Sequence, residues 1–115
     1  MLRGEVRLTD LEPTRGSEAS KRRPAVLVSN DQANATAERL GRGVVTVVPL
    51  TSNISRVFAF QTLLPAEQTG LRTDSKAQAE QIRSVSVERV GPVLGRVPEE
   101  RMLDLEEAVR THLQL

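Results

Sequence analysis

Two stretches limit what this chain can fold into: PAVLVS at residues 24–29 and GVVTVVPL at residues 43–50, both almost continuously apolar and rich in valine. A strand with one wet face alternates apolar and polar residues. An unbroken β-branched run instead belongs to a strand covered on both faces. Two such strands in close succession call for packed layers above and below a single sheet. With 115 residues there is room for one core, so residues 1–115 are expected to form one domain. Only 38% of the residues are apolar and two phenylalanines are the only aromatics, so that core must be aliphatic. Such a chain gains from further burial against a partner subunit, and an oligomer is expected before any motif is read.

The segments around the two runs read as short strands and two helices. Arg3–Leu11 alternates Val6 and Leu8 with charged neighbours, as a half-buried strand does, and Pro13, Gly16 and Ser17 mark a loop. Asn30 or Asp31 is placed to cap a helix through Leu40, which Gly41 and Gly43 stop. The second apolar run ends at Pro49, with Thr51, Ser52 and Asn53 at its exit. RVFAFQTLLP, residues 56–65, reads as a strand with Phe58 and Phe60 on one face, followed by a loop through Gly70 and Asp74. KAQAEQIRSVSV, residues 76–87, alternates Ala77, Ala79 and Gln81 with Lys76, Gln78, Glu80 and Ile82, and reads as one further strand. Val87–Val90 reads as a turn and VLGR as a short strand. From Pro98 the spacing of Met102, Leu105, Ala108, Val109, His112 and Leu113 is helical, with proline at the start. The expected class is mainly β with short helices: a strongly bent antiparallel sheet or small barrel with helices packed outside.

The absence of cysteine removes disulfides, thiolate nucleophiles and zinc–thiolate sites. There is no Gly-rich phosphate loop, calcium loop or histidine pair, and His112, the single histidine, reads as a packing or interface residue. Any catalysis is therefore expected to need neither metal nor cofactor. No window approaches a signal peptide or membrane span, which gives the expectation of a soluble, cytoplasmic protein. The net charge of +1 hides a basic cluster, Arg15, Lys21, Arg22 and Arg23, with Glu18 the only acid among them. Such a cluster is either a phosphate-binding patch or a solvated loop. RNA carries its own nucleophile, the 2′-hydroxyl, so cutting it needs only orientation, proton transfer and stabilisation of charge on phosphorus. Arg23, held against a proline and a strand, and the hydroxyl of Thr51 fit those needs in type.

The blocks RGEV, GSE, RRPAVLVSN, VVPLTSN and DSKAQAEQIRSV, followed by an amphipathic helix, together resemble the MazF/PemK/Kid family of toxin endoribonucleases over residues 3–113. The resemblance implies a small PemK/CcdB-like barrel that forms a homodimer, cleaves single-stranded RNA without metal and is silenced by an antitoxin. It maps the family's catalytic arginine onto Arg23 and its threonine onto Thr51. It makes Glu18 a candidate to accept the 2′-hydroxyl proton or orient Arg23, with pairing to Lys21 or Arg22 the plainer alternative. Gln78, Glu80 and Gln81 fall on the family strand that contacts bases, while Ser17, Arg22, Ser52, Asn53, Ser75 and Lys76 are weaker candidates for lining the same groove. Arg72 and Asp74 loosely echo an Arg-x-Asp arrangement proposed for proton transfer. With two aromatics, base stacking is expected to contribute little. A MazE-like antitoxin with an acidic, disordered tail is the expected partner, since such a tail suits a cationic groove. Two other readings keep the fold: a CcdB-type gyrase poison, disfavoured because the chain ends THLQL and has no tryptophan, and a non-catalytic RNA- or antitoxin-binding module.

Overall fold

A computed structural model describes residues 1–13, 15–18 and 21–115. Seven strands, β1 (Glu5–Asp10), β2 (Arg22–Leu27), β3 (Val44–Thr51), β4 (Gln61–Leu64), β5 (Ser75–Gln78), β6 (Arg83–Ser86) and β7 (Val90–Arg96), form one antiparallel sheet. Its order is β4-β5-β3-β2-β1-β7, with β6 also on β3. Helices α1 (Asp31–Leu40), α2 (Ala66–Thr69) and α3 (Glu99–Leu113) complete the chain. The sheet bends without closing, so the barrel expectation holds as an open one.

The two apolar runs become β2 and β3 at the centre, and their alternate residues feed two cores. Val26, Val48 and Leu50 pack with Val6, Leu64, Ala77, Met102 and Leu105 beneath α3. Ala25, Leu27, Val45 and Val47 pack with Leu11, Ala37 and Val85 on the side of α1. Burial on both faces is why neither run alternates. The prolines inside them sit where a missing N–H costs no ladder bond. The β2–β3 pairing starts at Ala25, beyond Pro24. Pro49 falls in the gap where the other edge of β3 passes from β6, ending at Val47, to β5, starting at Leu50.

The first long helix is capped as its sequence dictates, whereas α3 starts at Pro98 with no side-chain cap. The Asn30 side chain accepts a 2.8 Å hydrogen bond from Ala33 N at the start of α1, and Gly41 ends it at φ +64. On α3, Met102, Leu105 and Ala108 are buried, whereas His112 and Leu113 at its end are exposed.

Two expectations are corrected. Residues 76–87 are not one strand. Leu50 faces Ala77, so an unbroken ladder would bring Val47 opposite Glu80, yet Val47 faces Arg83, three residues further on. Those three residues, Ala79–Gln81, are taken up in a single 3₁₀ turn closed by Ile82 N donating to Ala79 O at 3.1 Å. Phe58 and Phe60 are not in a strand either. Phe58 N donates to Gln61 Oε1 at 3.2 Å and Gln61 N to Phe58 O at 2.9 Å, a tight turn that delays β4 until Gln61.

Candidate active site

The β2–β3 ladder ends at Ala25 opposite Pro49, and two more steps in the same register would put Arg23 opposite Thr51. The strands part there instead. The gap is a cleft of about 350 Å³, walled by Lys21, Arg22, Arg23 and Pro24 on one side and Leu50, Thr51 and Ser52 on the other, with Thr73 and Ser75 completing it. Each wall is held from behind by a second pairing. Thr9 of β1 faces Arg23, and Lys76 of β5 faces Thr51.

Local sequence sets the walls. The residue before a proline is confined to extended conformations, so Pro24 holds the Arg23 backbone in the strand. Arg22 and Arg23 therefore belong to β2 itself, not to the preceding loop. Lys21, at φ +69, makes the bend into the strand and donates its N–H to Glu12 Oε1 at 2.6 Å. Thr51 Oγ1 accepts a 3.2 Å hydrogen bond from Asn53 N, an arrangement that uses a lone pair and leaves the hydroxyl proton to be donated elsewhere. Asn53 spends its side-chain oxygen on Ser55.

Three cations line the cleft together with the hydroxyls of Thr51, Ser52, Thr73 and Ser75, and among the described residues no acidic side chain lines it. It is built to receive an anion carrying several hydrogen-bond acceptors. Among the described residues no group of three or more histidine, aspartate or glutamate side chains is placed to hold a metal ion. No helix among them is long and apolar enough to cross a membrane.

Arg22, Arg23, Thr51, Ser52 and Ser75 thus meet in one place. The other sequence candidates do not reach it. Glu18 turns back on its own loop, its Oε1 accepting from Arg15 N at 3.1 Å. Ser17 O accepts from Gln81 Nε2 at 3.0 Å, which ties the β1–β2 loop to the 3₁₀ turn. Glu80 Oε2 accepts from Gln61 Nε2 at 2.7 Å, and the side-chain oxygen of Gln78 is buried. The strand break at Ala79 takes Glu80 and Gln81 off the alternating face expected of them, while Gln78 stays in β5 opposite Gln61. Asp74 caps α2, accepting from Ala66 N at 2.8 Å, while Arg72 lines an adjoining cleft with Pro24 and Leu94. Lys76 is 8% exposed and points away under the β3–β4 loop.

Thr73 was missed. It follows no motif, and only the α2 turn brings it to the cleft. That turn is closed by Gly70 N on Ala66 O at 2.9 Å and by the Asp74 cap. The aromatics lie on the far side of Lys76. Phe58 and Phe60 stack at 5.3 Å with Arg56 5.3 Å from the Phe58 ring centre, and His112 stands 6.4 Å from Phe60.

A sequence model of PemK-like, MazF-like toxins of type II toxin–antitoxin systems matches residues 2–113. Endoribonuclease MazF9 of Mycobacterium tuberculosis (strain ATCC 25618 / H37Rv) is 60% identical over 115 residues, spanning 100% of this chain and 98% of that protein. In fold the chain is similar to MazF of Deinococcus radiodurans, with TM-score 0.80, 22% identity, and coverage of 100% and 97%. It is also similar to a mycobacterial endoribonuclease solved in complex with its cognate antitoxin, with TM-score 0.75, 24% identity, and coverage of 100% and 96%.

Proposed function

The chain belongs to the family of PemK-like, MazF-like toxins of type II toxin–antitoxin systems, and from that premise we propose that it is an endoribonuclease whose cleft between β2 and β3 holds the scissile phosphate of single-stranded RNA. The observation that carries this reading is the cleft itself, lined among the described residues by three cations, four hydroxyls and no acid, and opening where β2 and β3 part with Arg23 and Thr51 in its walls.

The 2′-oxygen attacks the neighbouring phosphorus in line as its hydroxyl proton is removed, and the 5′-oxygen leaves with a proton taken from water, so the products are a 2′,3′-cyclic phosphate and a 5′-hydroxyl. Arg23 holds two non-bridging oxygens as charge builds on them, a task that suits a planar guanidinium better than an ammonium. Thr51 donates its remaining proton to the same group. Glu18 is held on Arg15 N outside the cleft, so the 2′-hydroxyl proton passes to water. Arg22, Ser52 and Ser75 hold the backbone, and Gln81, outside the cleft on the Ser17 carbonyl, reads the edge of a base beyond it. The working form is a homodimer, and an acidic antitoxin segment competes with RNA for the cationic wall.

Cleavage of a long RNA in EDTA tests the reading, with cyclic-phosphate ends expected. No fragments from the wild type would refute it. Arg23→Ala and Thr51→Val should each lower kcat by about 10²- to 10³-fold, the loss typical of removing one donor to a developing oxyanion. Wild-type rates in either variant would remove that residue from catalysis.

A further inference from the structure

Lys76 was expected to line the RNA groove, but its ammonium is committed inside the protein. It is 8% exposed, donates to the carbonyl oxygen of Arg56 at 2.5 Å and lies 5.9 Å from the centre of the Phe58 ring. Among the described residues no carboxylate lies within ion-pairing distance of it, although a buried charge ordinarily has such a partner. A lysine left without a counter-ion adds little to stability that an apolar side chain of similar length would not add better.

Its position gives it another use. Lys76 faces Thr51 across the β3–β5 ladder, and the acceptor it holds is in the loop that leaves Thr51. The other hydrogen bonds of that loop are local: Asn53 to Thr51, Ser55 to Asn53, and Phe58 with Gln61. Lys76 is therefore its one hydrogen bond to a distant strand among the described residues. The strand paired with Thr51 and the loop that fixes Thr51 through Asn53 N are thus joined at Lys76.

We propose that Lys76 is a positioning residue for the cleft: through the Arg56 carbonyl and the Phe58 ring it holds the Ser52–Phe60 loop so that Asn53 N keeps Thr51 Oγ1 turned into the cleft. This rests on the reading that Arg23 and Thr51 cleave RNA, and it assigns Lys76 to geometry and not to phosphate binding.

The test is Lys76→Met, which keeps the stem and removes the ammonium, assayed on a defined single-stranded RNA oligonucleotide across a series of salt concentrations. The expected result is a kcat lowered about 10- to 100-fold, as a small misplacement of a reacting group produces. KM should change little and the thermal midpoint should stay the same or rise, with faster amide exchange confined to residues 52–60. The slope of log affinity against log salt should be unchanged, whereas each lost phosphate contact removes about 0.7 from it. Arg22→Gln serves as the control that shows such a loss. Lys76→Arg, able to reach the same carbonyl and lie on the same ring, should keep kcat within about threefold by that reasoning; it also serves if the Met variant does not fold. A lowered salt slope in Lys76→Met, an unchanged kcat, or a Lys76→Arg enzyme as slow as the Met variant would each overturn the assignment. Failure of the wild type to cleave would instead refute the underlying reading.

Discussion

Gly95 sits in β7 where the sheet passes the end of α2, and a methyl group there has nowhere to go. A Cβ built on Gly95 would stand 2.4 Å from Thr69 O and 3.2 Å from Leu71 Cδ2. An ordinary carbon–oxygen contact is about 3.3 Å, so Gly95→Ala must drive the two backbones apart by about 0.9 Å. Neither is free to yield. Gly95 faces Val6 in the β1–β7 ladder, while Thr69 Oγ1 donates to Pro65 O at 3.3 Å and accepts from Leu71 N at 3.2 Å. Overpacking of this kind costs about 1–3 kcal/mol, and the reduced freedom of the unfolded chain returns about 0.4–1 kcal/mol. A net loss of about 1–2 kcal/mol is expected, read as a lower urea midpoint at unchanged m-value and fixed protein concentration. Gly41→Ala is the comparison, since its Cβ meets nothing within 4 Å and only the left-handed backbone at φ +64 is strained; its cost is about 1–2 kcal/mol from conformation alone. Because the α2 turn also delivers Thr73 to the cleft, Gly95→Ala should raise the KM for RNA while Gly41→Ala leaves it alone. A Gly95→Ala protein as stable as wild type would refute the steric reasoning, and one destabilised with unchanged KM would refute the link to the cleft.

Ser29→Ala should destabilise by about 2–4 kcal/mol in urea denaturation. The Ser29 hydroxyl donates to Asn34 Oδ1 at 2.5 Å and accepts from Thr46 N at 3.1 Å, and its loss leaves two interior groups unpaired. For Glu5, burial works to raise the carboxyl, but the Leu2 N–H bond and the charge and hydrogen bond of Arg7 outweigh it and hold the group below its usual value. A depressed carboxylate stabilises the fold above its unfolded value, about 4.3, and that contribution is lost as pH falls through the lower folded value. Glu5→Gln should therefore flatten the acid limb of a melting-temperature profile below about pH 4; an unaltered limb would count against the Glu5–Arg7 pairing.

Much of this protein was legible before any coordinates. The two valine-rich runs had to be central strands because a short, almost unbroken apolar run is buried on both sides only where a sheet is covered on both faces. Asn30 and Gly41 marked the ends of α1 because caps act through local hydrogen bonds and local φ. The family resemblance of the RRP and PLTSN blocks singled out Arg23 and Thr51, and both line the cleft that opens where β2 and β3 part beyond Ala25 and Pro49.

What escaped the sequence depended on partners far along the chain. Alternation in residues 76–87 is a true signal for a strand, yet β3 takes β5 and β6 in registers three residues apart, and the excess had to leave the ladder at Ala79–Gln81. That offset is a property of β3's edge and has no trace in the segment itself. It is also what turned Glu80 onto Gln61 and carried Gln81 to Ser17. A lysine in a run of polar residues reads as solvated, and only packing beneath the Ser52–Phe60 loop made Lys76 an interior cation. Periodicity and capping report what a residue does with neighbours three or four places away, so they determined the elements and the likeness between blocks. Which cations face the cleft, which are spent inside, and how Thr73 arrives there were decided by contacts between distant segments, which only the assembled sheet creates.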